Sequence, residues 1–398
     1  MTNLNKPMAL EGLKVLDLSR ILAGPYAAQI FADLGADVVK VENPDGGDDT
    51  RKWGPPFINN VDGSRDDAAY FSACNRNKRS VTIDFSNKDG ADLVRKLASK
   101  ADVLIENFKV GGLQKHGLDY KSISALNPKI IYCSITGFGQ TGPYSHRSGY
   151  DFLIQGMGGL MSITGHPDDS AGSAPVKVGV AVCDLFTGMF ASNAVLAALN
   201  YRTKTGKGQH IDCSLFDSQI SMLANQSANW LNAGVCPGRM GNSHPSVVPY
   251  TVYRATDGFV IIACGNDKQF IRLTSALSLP ELADDADFFT NESRIKNRDR
   301  LDAILGSIVA KMTREQVIEK LEEAGVSCGP INNINEVFAD PHAQERGARV
   351  DQFRNDGSKI STTAFAAKFS ITPAQYRVPP PRLGEHNHEV FREWIGVE

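Results

Sequence analysis

LKVLDL (13–18) and DVVKVE (37–42) are short apolar runs joined by SRILAGPYAAQIFADLGA (19–36), and the reading of this stretch decides the fold. In the joining segment Pro25 suits a first helical turn, where its missing N–H has no intrahelical partner to lose. Tyr26, Ile30, Phe31 and Leu34 then recur at helical spacing and Gly35 ends the helix. The stretch reads as strand, helix, strand. The alternation continues with SVTIDF (80–85), a helix over 88–99, ADVLIENF (101–108) and KIIYCSI (129–135). These strands are nearly continuous apolar runs, as expected of a parallel sheet covered by helices on both faces.

SITGFGQTGPYSHRSGYD (134–151) is then a Gly- and Ser-rich loop, and APVKVGVAVCD (174–184) reads as a strand feeding the helix LFTGMFASNAVLAALNYR, which stops at the breakers Gly206 and Gly208. A second long helix is expected from Phe216 to about Asn232. After Gly234 the character changes. YTVYRATDGFVIIACG (250–265) reads as a hairpin turning at Asp257-Gly258, GVSCGPI (325–331) as a buried strand or loop, and NDGSKIS (355–361) as another hairpin. Residues 235–325 read as a smaller second domain, consistent with 398 residues being too many for one compact core.

Composition excludes several classes. A chain that is 42% hydrophobic and 22% charged belongs with globular proteins, and a net charge of -3 provides no global field for nucleic acid or membrane. No run of about 18 apolar residues predicts a membrane span. The seven cysteines are scattered, with no CxxC pair or zinc spacing, and the N-terminal stretch lacks a signal or transit pattern. A cytoplasmic protein with reduced thiols and no metal is expected. The first strand-helix turn has only Ala23-Gly24-Pro25, so a dinucleotide fingerprint is missing, as are a P-loop and a GxSxG elbow.

Candidate chemistry gathers around a few positions. Asp184 falls at an expected helix N-cap, where free N–H groups favour a carboxylate. It is either a plain cap or a covalent nucleophile toward a carbonyl. Gly137, Gly139 and Gly142 either form a turn or let backbone N–H groups approach an oxyanion. Lys78 and Arg79 are candidates for phosphate, and Asn107 and Phe108 stand at a strand's carboxyl end, where open α/β sheets bind ligands.

In order and spacing, VLDLSRILAGPYAAQIFADLGADVVKVENP, NRNKRSVTIDF, ADVLIENF, GFGQTGPY, SGYD, GVAVCD, KTGKGQHID, GNDKQF, GVSCGPINN and PPPRLGEH resemble the class III CoA-transferases, the family of the formyl-CoA:oxalate, carnitine and succinyl-CoA:glutarate enzymes. The resemblance implies a large Rossmann-like α/β domain from both chain ends (1–230 with 330–398), a small α+β domain (235–325) and an interlocked homodimer. It makes Asp184 the catalytic nucleophile, with coenzyme A as substrate and no prosthetic group. Leu22, Ala23, Lys78, Arg79, Asn107, Phe108, Lys115, Thr136 and Gly137 match positions around CoA, and Gly265 matches a loop that shields the intermediate from water. Asn43 replaces a family arginine, and Thr136 replaces a lysine of oxalate-using members. The racemases on this scaffold use a His-Asp pair where this chain has Tyr150-Asp151, and tyrosine, with a reference pKa of about 10, is a poor base. HPSVVPYTVY (244–253) and GVSCGPINN point to the succinyl-CoA:glutarate branch. A dicarboxylate needs a cation, for which Arg147, Arg239 and Lys177 are candidates, helped by His244. The alternatives are a formyl-CoA:oxalate-type transferase, a racemase and a non-catalytic acyl-CoA binder.

Overall fold

The computed structural model describes residues 7–170 and 172–397; the outermost residues of the large domain predicted from the resemblance, 1–6 and 398, lie outside them. The chain divides into two compact units. One comprises the chain up to Leu160, Lys177–Val235 and everything from Pro341 on, and the other comprises Met161–Val176 and Cys236–Asp340. Segments 161–176 and 330–340 therefore belong to the second unit, where the sequence reading had put them in the first.

The first unit is organised by six strands: β1 (Lys14–Asp17), β2 (Asp37–Glu42), β3 (Lys78–Thr82), β4 (Val103–Glu106), β5 (Ile131–Thr136) and β6 (Gln209–Ser214). They pair in the order β3-β2-β1-β4-β5-β6, and every pair is parallel. Residues alternate between two cores with period two. Val15, Val38, Val103 and Ile131 enter one core with α1 (Ala23–Asp33), while Leu16, Val39, Leu104 and Tyr132 enter the other with α2 (Lys88–Ala98) and Trp394. Each such buried aliphatic side chain contributes roughly 1.5–3 kcal/mol. Strand order reverses between β1 and β4, which opens the crevice where doubly wound sheets bind ligands.

Helices α3 (Tyr120–Leu126), α4 (Asp151–Met157), α5 (Val182–Thr205), α6 (Leu215–Met222) and α7 (Ala224–Ala233) complete the parts that matter to the site. α5 is long and apolar enough to span a membrane by length and composition alone, contrary to the expectation that no such segment exists. Its face of Cys183, Thr187, Ala191 and Val195 is buried in the core, which marks a core helix. Gly188 allows α5 to press onto α1: a Cβ there would sit 2.7 Å from the Ala23 carbonyl oxygen.

Three readings change. Residues 174–181 form no strand; Val176 and Val180 are exposed and no neighbouring strand accepts them. The helix expected over 216–232 breaks into α6 and α7 at Ala224, whose φ of 44° interrupts the helical ladder. The helix stop at Gly206 and Gly208 holds, and the unpredicted strand β6 that follows it is an additional edge of the sheet.

The second unit carries an antiparallel sheet of Tyr250–Ala255, Gly258–Ala263 and Ser327–Pro330, packed on helices through Phe270, Leu301, Leu305, Val317 and Leu321. Ala255 pairs with Gly258, so Thr256 and Asp257 form the turn, one residue earlier than predicted. The Asp257 carboxylate accepts the Arg314 N–H at 2.7 Å, at the start of the helix Arg314–Glu323.

Candidate active site

Asp184 stands in the first turn of α5, three residues past the N-cap position the sequence suggested. The N-cap is Ala181, which has no side chain to cap with. Asp151, at the start of α4, supplies the missing acceptor: its Oδ1 takes the Cys183 N–H at 2.9 Å. Its Oδ2 accepts from Gln155 at 2.8 Å, and Gln155 Oε1 holds the Val178 N–H at 2.9 Å, so α4 fixes the irregular segment leading into α5.

The partner of Asp184 itself comes from α1, whose first N–H groups have no intrahelical acceptor. The Ala23 N–H faces the Asp184 carboxylate and favours its charge, but burial and then the neighbouring Asp151 charge outweigh it and push the pKa up to about 7. An aspartate in water, with a reference value of about 3.9, is fully ionised at neutral pH. Tyr70 faces the same carboxylate, and burial followed by the Asp184 charge raises its phenol to about 12.

The cavity beside Asp184 is about 420 Å³, within the range of small-molecule sites. Ala23, Asn107, Phe108, Thr136, Gly137, Arg147 and Tyr150 line it together with Asp184. The GFG and SGYD segments meet through backbone contact, since a Cβ on Gly137 would lie 2.5 Å from the Gly149 Cα. No side chain fits at that crossing, which sets Thr136 and Tyr150 on the same wall.

Asn107 ties the strand ends together. Its Oδ1 accepts the Arg20 N–H at 2.9 Å and its Nδ2 donates to the Arg20 carbonyl at 2.7 Å. The Arg20 guanidinium lies 5.5 Å from the Phe108 ring and pairs with Asp49 at 3.1 Å. Arg20, Ile21, Asp49, Lys109, Ser145 and Ser148 also line the cavity and were missed; Arg20 was legible as the residue just past β1, at the sheet's crevice. Arg147 lies 5.3 Å from the Phe138 ring and 4.8 Å from the Tyr144 ring, and among the described residues no carboxylate pairs with it. A second cavity of about 190 Å³, lined by Leu18, Val41, Asn43, Ile83 and Phe85, shares Arg20 and Phe108 with the first.

Four predicted CoA contacts are placed elsewhere. Leu22 is buried at the cap of α1 and absent from the cavity wall. Lys78 is fully buried, pairs with Asp17 at 2.9 Å and donates to the Pro25 carbonyl and Asn75 Oδ1. Its three hydrogens are used, leaving none for a phosphate. Arg79 pairs with Asp37, Glu389 and Glu393 and fastens the C-terminal helix to β2. Lys115 lies in the turn Gln114–His116, outside the cavity lining. In the second unit, Arg239 pairs with Asp168 and donates to the His166 carbonyl, while the Gly265 N–H donates to Gln269 at 2.7 Å. The Lys177 side chain is exposed and donates to the Val178 carbonyl at 3.4 Å, and His244 accepts the Ser246 N–H at 3.1 Å.

A half-buried carboxylate at a helix start, facing a backbone donor and a cavity at the sheet crevice, is suited to covalent attack on a bound carbonyl. Comparison with known proteins agrees with the resemblance drawn from the motifs. The succinate–glutarate CoA-transferase of Agrobacterium fabrum is 49% identical over 394 residues, 99% of this chain and 98% of that protein. The human succinyl-CoA:glutarate CoA-transferase is 40% identical over 392 residues, 98% of this chain and 87% of that one. The crystal structure of a CaiB/BaiF family protein from Brucella suis superposes with a TM-score of 0.87 at 50% identity, covering 97% of this chain and 99% of that chain. The sequence profile of CoA-transferase family III matches residues 10–387, and the chain belongs to that family.

Proposed function

We propose that this enzyme moves CoA from succinyl-CoA to glutarate or a closely related dicarboxylate, with Asp184 as the covalent nucleophile. The observation that carries the reading is the Asp184 carboxylate facing the Ala23 N–H at the wall of the 420 Å³ cavity. The ionised carboxylate attacks the donor thioester; a C–O bond forms, the C–S bond breaks, and CoA thiolate leaves an aspartyl–acyl anhydride. The thiolate attacks the aspartyl carbonyl, giving aspartyl-CoA and releasing the donor acid. The acceptor carboxylate then displaces the thiolate as a second anhydride, and the thiolate takes the new acyl group and frees Asp184. Each step exchanges one carboxylate or thiolate for another, so no water or net proton is consumed.

The substrate assignment is supported by the names of the relatives and by Arg147, an unpaired guanidinium in the cavity suited to a distal carboxylate. We place the nucleotide end of CoA in the neighbouring 190 Å³ cavity, where Leu18, Val41, Ile83 and Phe85 offer apolar surface and Arg20 and Lys40 stand among Glu42, Asp48 and Asp84. A homodimer belongs to this reading: Met189 and Phe190 on α5 and Trp230 and Leu231 on α7 are exposed apolar side chains that a second copy would cover. The test is a panel of acyl-CoA donors against mono- and dicarboxylic acids, read by mass spectrometry with Asp184→Asn as control. Transfer from succinyl-CoA to glutarate, lost in the variant, is expected. Transfer confined to monocarboxylates, or undiminished in the variant, overturns the reading.

A further inference from the structure

Ile21 has a φ of 72°, in the left-handed region, where a β-branched side chain crowds its own backbone. Such a conformation persists only when its surroundings hold it. Here the backbone is held at each residue from Ser19 to Ile21. Lys40 Nζ donates to the Ser19 carbonyl at 2.8 Å. Asn107 grips both the N–H and the carbonyl of Arg20. The Ile21 N–H donates to both oxygens of Asp48 at 3.2 Å, and Cys74 Sγ lies 3.8 Å from the Ile21 carbonyl.

Asp48 is the fixed side of its contact with Ile21. Its carboxylate is fully buried with the Lys40 ammonium, 2.9 Å away, and its own N–H donates to Glu42 Oε2 at 2.9 Å. It also accepts the Thr50 N–H at 3.0 Å and the Thr50 hydroxyl at 2.8 Å, as the cap of the short turn Asp49–Arg51. Capping accounts for the bonds to Thr50 but not for the reach to Ile21, 27 residues earlier.

The strained residue sets the start of α1. Leu22 is the cap of that helix, and Ala23 opens its first turn with an N–H that has no intrahelical acceptor. Ile21, Ala23 and Asp184 line the same cavity. One turn along α5 from Asp184, Gly188 meets the Ala23 carbonyl so closely that no side chain fits between them. With α1 seated on α5 in this way, the direction of its first N–H groups depends on how the chain enters at Ile21.

We propose that Asp48 is a positioning residue for the transfer: its grip on the Ile21 N–H holds the left-handed entry that aims the first N–H groups of α1 at the carbonyl bound beside Asp184. This rests on the reading that Asp184 is the nucleophile. Backbone donors lower the barrier only where negative charge develops, and a displacement of about 1 Å costs up to about 100-fold in rate. An isoleucine released from Asp48 falls back to negative φ and turns the entry to α1. Glycine takes either sign about equally, so a glycine at position 21 depends on Asp48 far less.

Wild type, Asp48→Asn, Ile21→Gly and the double variant, all in the full chain, test the proposal. Asparagine keeps the size of Asp48 but offers an amide where Ile21 and Lys40 bring donors that cannot accept. The measurements are kcat and KM for succinyl-CoA with an acceptor acid that the wild type uses, the melting temperature, and the site of hydroxylamine labelling. Asp48→Asn should lower kcat about tenfold and leave KM within about threefold. In the Ile21→Gly background the same change should lower kcat by less than about threefold, and the side chain lost at position 21 cancels in that comparison. Equal losses of kcat in the two backgrounds, or a loss confined to KM or to the melting temperature, overturn the proposal. Should Asp48→Asn fail to fold with Lys40 unpaired, Lys40→Met combined with Asp48→Asn removes both charges, and its loss of kcat is compared with and without Ile21→Gly in the same way. Label on Asp184 together with equal losses would refute the role of Asp48 alone. Label on another carboxylate would refute the nucleophile reading, and the aim given to Asp48 with it.

Discussion

The Asp151 carboxylate accepts the Cys183 N–H at 2.9 Å, one residue before Asp184, and the two negative groups share the start of α5. One acid therefore caps the helix that carries the other and raises its proton affinity. Burial and then this like charge push the Asp184 pKa up to about 7, where a lone helix-start aspartate would be fully ionised.

Asp151→Asn removes the charge but keeps an oxygen for Cys183. Burial and the Asp151 charge hold Asp184 near 7, and attack requires the ionised form, so kcat/KM for the wild type should fall as pH drops below about 7. Losing the like charge lowers the Asp184 pKa, and the acid limb of the profile should move to lower pH. A pH profile unchanged in position, merely reduced in height, would show that Asp151 acts only as a structural cap.

Arg147→Gln removes the unpaired cation from the cavity. A charge-assisted bond to a carboxylate is worth about 1.5–3 kcal/mol, so kcat/KM for a dicarboxylate acceptor should fall roughly 10- to 100-fold. Monocarboxylate acceptors should lose much less. Steady-state kinetics with acceptors of matched chain length separates the two, and equal losses would move the dicarboxylate contact to another residue.

Arg79→Ala tests the reassignment of that side chain from phosphate to structure. It breaks the pairs with Asp37, Glu389 and Glu393, so the melting temperature should fall by an amount corresponding to about 1–3 kcal/mol. The KM for acyl-CoA should stay within about twofold of wild type. A large rise in KM with little change in melting would restore the phosphate contact.

Much of the scaffold was legible in the chain because parallel strands buried on both faces appear as apolar runs between helices. The β1–α1–β2 unit, β4 and β5 follow from that pattern alone. Strand β6 does not, since Gln209, His210 and Asp212 make it a polar edge strand whose only marker is its partner β5. Residues 174–181 misled in the opposite sense: Val176, Val178, Val180 and Val182 alternate like a strand but find no neighbouring strand. The cavity lining was readable where backbone position sets it, as at Ala23, Asn107 and Gly137. It was not readable at Lys78 and Arg79, because a basic pair on a strand gives no sign of which acids will face it; Asp17 lies 61 residues from Lys78 and Glu389 lies 310 from Arg79. The raised pKa of Asp184 was hidden for the same reason, since Asp151 meets it only through the tertiary fold.

The most direct measurement traps the intermediate. Enzyme incubated with succinyl-CoA is quenched with hydroxylamine, digested and mapped by mass spectrometry. A hydroxamate on Asp184, absent from Asp184→Asn, is the predicted result. Active enzyme that turns over succinyl-CoA yet carries no modification at Asp184, or carries it on another carboxylate, would contradict the account.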